Sequence, residues 1–523
     1  MSERITDNAW ERFTLCCKPE QSGKTFIMIK KINDDDCVTG KTKSIINFIC
    51  CDNSLLQTKQ TSNRVAREAM TLPGTEENYI EFSSRKDGVS VNRVDSVTNK
   101  ILMDHTKNII CCTNGTRMSD ISKIIGDINN SKFQDQYIFK IWLDEADKFT
   151  NHITNTLLPI AMKYENVHCV CLTATPDTLF AKYKYMNVLP IEDTTCEDYH
   201  GWLDNDIRIR VHEEAEQTTT GFALQIIKEV DAKHGGKIPI GTKWFIPADN
   251  SINSHETMSA ILQGRKFAVF VVNGNGITLT FPYIYGIYRQ PIEVKKTKEL
   301  HEHLREMYRE YELERVPVAI TGYLCIGRGI SISQPKTDEF DAFLLDYGVL
   351  SNCSKKAEAS QNAGRTKGNY KHWEGYKPPV VFCTKKFSDV ATECEKRSRE
   401  LAKIAFSRDA EDPSVITNHE FKGITKNGSH EIDHFVFADD VMARRWAADP
   451  NIGLNKKMSK SGPTAPETLL QVDGENPTLE SVLTRRWGLN DKSWIRKIRL
   501  DTNEICLYWK KGPSFPSTYV KPS

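Results

Sequence analysis

The sequence lacks any apolar run near the roughly 18 residues that a membrane-spanning helix needs, so no span is expected. Its first ten residues, MSERITDNAW, have no basic stretch leading into an apolar one, and no secretory leader is expected. It has no excess of either charge: 70 basic against 69 acidic residues leave a net +1. That excludes a chain-wide polycation, so any nucleic-acid surface has to be local. No CxxC pair occurs, which argues against a zinc ribbon. No internal repeat stands out. A hydrophobic fraction of 39% with 27% charged residues excludes a disordered chain.

What is present is 523 residues, enough for three or so domains at about 100–200 residues each. Fifteen cysteines are many. Eight fall in close pairs, Cys16/Cys17, Cys50/Cys51, Cys111/Cys112 and Cys169/Cys171, each at the end of an apolar run. Strand neighbours point to opposite faces, so adjacent cysteines do not readily share a ligand. They read as small buried strand residues of a chain kept in a reducing, intracellular compartment, cytoplasm or nucleus.

In the first 200 residues short apolar runs (13–17, 44–51, 107–112, 137–143, 167–172) alternate with longer polar stretches. Continuous apolar strands with helical spacers predict a parallel sheet with helices on both faces. The pattern restarts with runs at 244–246, 267–272, 316–320, 342–345 and 380–383, and with helices predicted at 296–314 and 386–407. The polar stretch at 200–220 marks the boundary, which divides the chain into 1–205, 206–408 and 409–523. Residues 277–294 carry aromatics at Phe281, Tyr283, Tyr285 and Tyr288 and predict a hairpin on the second domain. Beyond 408, residues 411–450 hold four basic and eight acidic side chains, and 481–523 hold nine and three. A third, smaller unit is expected. Asn476, Pro477 and Gly488 predict a helix there, a second helix begins after Asn490, and a hairpin follows at 500–509. Such a helix–turn–helix with hairpin would offer Arg485, Arg486, Arg496, Lys497 and Arg499 to phosphates.

Five segments carry chemistry. PEQSGKT (residues 19–25) follows a strand and precedes FIMIKKI, the strand–loop–helix setting of a phosphate loop. Backbone N–H groups at Gln21, Ser22 and Gly23 would cradle phosphates, with Lys24 on the β- and γ-phosphates and the Thr25 hydroxyl on Mg²⁺. IWLDEADKF (141–149) runs a strand into Asp144 and Glu145. Asp144 suits Mg²⁺, and Glu145 suits orienting or deprotonating a water. CLTATP (171–176) ends the next strand with short hydroxyl residues. ITGYLCIGRGISIS (320–333) is glycine-rich and would let backbone approach a ligand at Gly329. SQNAGRTKGN (360–369) presents Gln361 and Arg365, the latter suited to transition-state charge on a phosphoryl group. Taken singly, several of these segments read equally as turns or solvated helix faces.

In this order the segments resemble motifs I, II, III, V and VI of the superfamily-two helicases and translocases, the group that holds the DEAD-box and DExH ATPases. The resemblance covers about residues 10–400. It implies two tandem RecA-like parallel-sheet domains with ATP between them, followed by a small C-terminal α+β accessory domain. The first domain would supply Lys24, Thr25, Asp144 and Glu145, and the second Gly329, Gln361 and Arg365. Thr173 and Thr175 would couple hydrolysis to domain closure. By position, residues 57–64, Thr113 to Arg117 and residues 245–250 resemble the loops that grip a strand's phosphates.

The chain departs from the family at three places. Gln21 stands for a loop glycine. Gly368 stands for a second motif VI arginine, for which Lys367 could compensate. No upstream glutamine motif occurs, and Trp10 is a candidate to stack on adenine instead. The QSGKT variant resembles helicases of large DNA viruses and phages. The expected function is an ATP-dependent, Mg²⁺-using, monomeric helicase or translocase on single-stranded or partly duplex nucleic acid, DNA more than RNA. Two alternatives are a duplex translocase that does not unwind and a nucleotide-gated binding module with weak hydrolysis.

Overall fold

The computed structural model describes residues 12–37, 43–52, 58, 60–65, 79–84, 90–183, 185–191, 199–204, 208–214, 216, 218–273, 276–282, 292–294, 300–323, 332–338, 340–351, 356–408, 414–427, 432–437, 441–442, 470–472, 494–499 and 505–510. The chain forms two compact units, residues 1–415 and 416–523. Among the described residues no helix is long and apolar enough to cross a membrane.

The apolar runs of the first 200 residues become strands β1 (Phe13–Cys17), β2 (Ser44–Cys51), β3 (Tyr79–Phe82), β4 (Ser90–Val91), β5 (Asn108–Cys112), β6 (Tyr137–Leu143), β7 (Val167–Thr173) and β8 (Tyr185–Val188). They lie side by side in the order β8-β1-β7-β6-β2-β5-β3-β4, and every pairing is parallel. Strands buried on both faces need no alternation, which is why FTLCC and NIICC read as unbroken apolar runs. The paired cysteines sit at these strand ends, and they are buried and in no disulfide, as are Cys383 and Cys394. The order places β1, β7 and β6 next to one another. The segments that follow them therefore emerge at one edge, where parallel sheets of this kind hold ligands.

The second sheet comprises β10 (Arg208–His212), β11 (Lys243–Phe245), β12 (Ala268–Asn273), β13 (Gly276–Thr280), β14 (Ile292–Val294), β15 (Val318–Gly322), β16 (Tyr347–Leu350) and β18 (Val380–Thr384). Its order is β10-β18-β16-β11-β15-β12-β13-β14. Only β13 and β14 run antiparallel to their neighbours, so the predicted hairpin is a sheet edge. Phe281 beyond it packs against Tyr311 at 5.4 Å, while Tyr283, Tyr285 and Tyr288 lie outside the described residues. Successive side chains split between two cores. Phe245, Phe270 and Ile320 pack with Leu300 and Leu304. Trp244, Val269 and Ala319 pack with Phe222 and Ile226. Together the sheets are the two tandem RecA-like α/β layers that the motif order implies, both in the first unit. The short pair β9 (Tyr199–His200) and β17 (Gly368–Asn369) runs between the two halves.

Two predicted elements change. The strand predicted at 342–345 is instead an irregular segment whose Phe343 and Leu345 are buried, and the strand follows at Tyr347–Leu350. Asp346 sets the start: its N–H donates to Lys243 O and its carboxylate accepts from Lys243 N, both at 2.8 Å. Hydrophobicity cannot separate a buried linker from the strand beside it. The helix predicted at 296–314 is shorter, Leu300–Glu310, and a 3-10 turn at Leu313–Arg315 follows Glu312 at φ 48°.

The helix Lys385–Arg408 leaves the second sheet and braces the first. Ser398 Oγ meets Cys17 Sγ at 3.3 Å. Arg397 forms an ion pair with Asp177, and Glu395 accepts from Trp202 N at 2.9 Å.

The second unit holds the helix Asn418–Asn427 and a four-stranded sheet in the order Ile432–Phe437, Ile505–Lys510, Trp494–Arg499, Leu470–Val472. It is a small α+β unit. The second helix predicted after Asn490 is overturned, because Trp494–Arg499 is a strand paired antiparallel with Ile505–Lys510. WIRKIR fits either period over six residues, and the complementary strand ICLYWK decides it. The helix predicted at 476–488, with Arg485 and Arg486, lies outside the described residues.

Candidate functional site

The loop between β1 and the helix Lys24–Cys37 turns through two left-handed residues, Gln21 at φ 59° and Gly23 at φ 91°. Gln21 thus takes the conformation that a glycine would supply freely, at a cost of about 1–2 kcal/mol. Ser22 Oγ donates to Pro19 O at 2.7 Å and closes the turn. Lys24 is buried, and its Nζ lies 3.3 Å from Glu20 Oε2. Burial works against its charge, yet Glu20, Glu145 and Asp144 outweigh the penalty and hold the ammonium above its ordinary range.

Asp144 and Glu145 follow β6, two strands from the phosphate loop. Asp144 N donates to Cys50 O at 2.9 Å, and Glu145 N donates to Asp144 Oδ1 at 3.1 Å. Glu145 stands at φ 54°, a left-handed position that few non-glycine residues accept. Both carboxyls are drawn upward first by burial. Glu145 reaches about 8, with the carboxylate of Glu20 adding to the effect and Lys24 opposing it. The last acid of the same run, Asp147, accepts from Thr173 Oγ1 at 2.9 Å and from Thr175 Oγ1 at 3.1 Å. The segment 171–176 is therefore tied to the run 141–149 through two buried hydroxyls.

The second sheet reaches this edge through the helix Lys356–Gly364. Gln361 Nε2 donates to Glu145 Oε2 at 3.2 Å, and Arg365 is buried beside it in the chain. Lys367, the residue expected to compensate for an arginine at 368, points elsewhere. It forms a buried ion pair with Glu395 of the bracing helix. That helix segment touches the phosphate loop directly. A Cβ on Gly364 would lie 2.8 Å from Glu20 Cβ. Alanine ordinarily improves a helix by up to about 1 kcal/mol over glycine. Here the overlap reverses the sign, and Gly364→Ala is expected to lower stability by about 1–3 kcal/mol in a thermal melt. A melt unchanged or raised would mean that the contact is open in solution.

The loop 19–25 and the Asp144–Glu145 pair border one cavity of about 430 Å³. Gln21, Gly23, Lys24, Thr25, Asp144 and Glu145 line it, whereas Ser22, Gln361 and Arg365 are not in its lining. Gln60, Thr61 and Arg64, from the run 57–64 expected to grip a strand, line this cavity instead, as do Ser333 and Asn369 from the segments 320–333 and 360–369; Glu20, Gln334, Tyr370 and Trp373 had been given no role. Glu20 was in plain view within PEQSGKT, and Tyr370 and Trp373 follow motif VI at once. Their aromatic character carried no signal until the fold brought them to the phosphate loop. Gly329 and Trp10 lie outside the described residues.

The expected strand-gripping residues are placed less openly. Thr113 is buried, and its hydroxyl donates to Cys51 O at 2.6 Å. Arg117 begins the helix Gly115–Asn129, where its N–H is capped by Asn114. Its guanidinium stacks 4.0 Å from the Phe82 ring and binds Asp120 and Asn92. In the run 245–250, Phe245 and Ile246 are core residues, while Asp249 and Asn250 are exposed.

No protein-family model matches the sequence, and no curated protein does. Among solved structures the chain is similar to Mss116p bound to ssRNA and AMP-PNP, at 12% identity and a TM-score of 0.43, over 75% of this chain and 69% of that one. It is similar to a DEAD box protein from the hyperthermophile Methanococcus jannaschii, at 10% identity and a TM-score of 0.35, over 74% of this chain and 86% of that one. It is also similar to the Mycobacterium smegmatis helicase Lhr bound to ssDNA and AMP-PNP, at 11% identity and a TM-score of 0.38, over 75% of this chain and 46% of that one.

Proposed function

We propose that the chain is an ATP-dependent nucleic-acid helicase or translocase. The observation that carries this is that Lys24, Asp144 and Glu145, from the first half, line a single cavity with Ser333, Asn369 and Tyr370 from the second, while Gln361 of the second half donates to Glu145. Hydrolysis in such a cleft changes how the two halves hold each other, and each cycle of closing and opening would move a bound strand.

The roles follow from position. Gln21, Ser22 and Gly23 offer loop N–H groups to phosphates, and Lys24 exchanges its Glu20 partner for phosphate oxygens. Glu145, held up near 8 by burial, is poised to take a proton from the attacking water, and Gln361 orients its carboxyl. Arg365 would face charge that develops on the transferred phosphoryl group. Thr173 and Thr175 feel that state through Asp147. Among the described residues no group of three His, Cys, Asp or Glu side chains suits a metal. The hydroxyl of Thr25 and the carboxylate of Asp144, both on the cavity, fit Mg²⁺, which takes hard oxygens and is usually shared with substrate phosphates. Bound there, Mg²⁺ would neutralise phosphate charge. DNA is our preferred track, gripped by backbone contacts without reading sequence.

Steady-state ATP hydrolysis is the test, measured alone and with single-stranded DNA, duplex DNA or single-stranded RNA. Stimulation by a single strand with strand displacement supports a helicase. Stimulation by duplex alone makes it a duplex translocase. A low rate that no polymer changes, with ATP still bound, leaves only a nucleotide-gated binding module.

A further inference from the structure

The residues discussed so far hold phosphates and water, and none holds a nucleobase. The other wall of the same cavity is aromatic and apolar: Phe26, Ile29, Tyr370 and Trp373. Phe26 follows the phosphate loop directly and is 60% exposed, an unusual state for a phenylalanine.

Tyr370 and Trp373 are built into a rigid turn. Trp373 N donates to Tyr370 O at 2.9 Å, and Tyr376 N donates to Trp373 O at 3.0 Å. The Tyr370 and Trp373 rings are 4.6 Å apart, Tyr376 lies 5.6 Å from Tyr370, and His200 packs on Tyr376 at 5.0 Å. The turn depends on Gly368. At φ 149° its Cβ would sit 2.8 Å from Tyr370 Cζ and 3.2 Å from Gln21 Cβ. The glycine that replaces a motif VI arginine is thus what lets the Tyr370 ring lie against the phosphate loop.

We propose that Tyr370 and Trp373 form the platform on which the base of the bound nucleotide stacks, with Phe26 on the same cavity. This rests on the nucleotide-binding reading above. A platform of rings reads π-surface and not the hydrogen-bonding edge of a base. The ligand class is therefore a purine nucleoside triphosphate, with ATP and GTP held about equally and CTP and UTP less well.

Equilibrium binding of ATP, GTP, CTP, UTP and inorganic tripolyphosphate to the full chain tests this, beside Trp373→Ala, Trp373→Phe and Lys24→Ala. Trp373→Ala is expected to weaken ATP and GTP about ten-fold or more, to shrink the purine preference, and to leave tripolyphosphate unchanged. Trp373→Phe is expected to retain most of the purine affinity. Equal losses for tripolyphosphate and ATP would overturn the platform, because they would mean that Trp373 only supports the loop. An unchanged ATP affinity would overturn it too. If the wild type binds no triphosphate better than Lys24→Ala does, the nucleotide reading itself falls and the platform with it.

Discussion

Lys24→Ala is expected to lower ATP hydrolysis by at least 10²–10³-fold, the usual loss when one charge-stabilising group leaves a phosphoryl-transfer site. Lys24 has a second role here that makes the result more specific. In the ligand-free protein its ammonium faces Glu20, Glu145 and Asp144 within one buried pocket. Without it, three carboxyls remain in low dielectric, with Arg64 a weaker counter-charge for Asp144 than the ammonium was. Their proton affinities, already raised for Asp144 and Glu145, rise further.

The sign of the stability effect follows. A carboxyl whose folded pKa lies above its unfolded value contributes stability below the unfolded value and loses it as pH rises through the folded one. The mutant's deficit in melting temperature should therefore be small near pH 5 and grow toward pH 8–9. Adding Glu20→Gln to Lys24→Ala removes one of the crowded charges. It is expected to recover much of the melting temperature and none of the hydrolysis. Recovery of both would show that Lys24 acts only by relieving its neighbours.

Glu145→Gln is expected to reduce turnover by about 10²–10⁴-fold, the range of a lost general base, while nucleotide binding near pH 7 stays about the same because a carboxyl that titrates near 8 is already largely neutral there. The amide keeps an oxygen for Gln361 Nε2, now 3.2 Å from Glu145 Oε2, so the variant should fold. In the free protein Glu145 titrates near 8 because it is buried beside Glu20. Its basic form therefore accumulates as pH rises, and kcat/KM of the wild type should climb between about pH 7 and 9, flattening above. Glu145→Gln should lose that slope. A variant that retains both turnover and slope would remove Glu145 from the chemistry and return the role to another group on the cavity.

How much of this was legible beforehand depends on the range of the interaction concerned. β1, β2, β5, β6 and β7 were readable because a strand buried on both faces must be apolar throughout, whatever its neighbours. The loop 19–25 and the Asp144–Glu145 pair, which the structure places on one cavity, stood out because each is a local strand-to-loop signature. The segment at 342–345 failed on the same ground: a buried linker satisfies the apolar test as well as a strand does. WIRKIR failed because six residues fit two periods until ICLYWK pairs with them.

Contacts between distant segments carried no local mark. Nothing in PEQSGKT announces that Glu20 neutralises Lys24 and raises the pKa of Glu145. Nothing in QNAGRTKGNY says that Lys367 turns to Glu395 while Tyr370 folds across Gly368. Chain-local chemistry accounts for which strands form and which residues can meet a phosphate, because backbone geometry and burial act over a few residues. The pairing of charges, the αL posture of Gln21 and Glu145, and the aromatic wall come from sheet order, which brings residues 20, 145, 361 and 370 together. Electrostatics and van der Waals contact act on distance in space, and a sequence lists only distance along the chain.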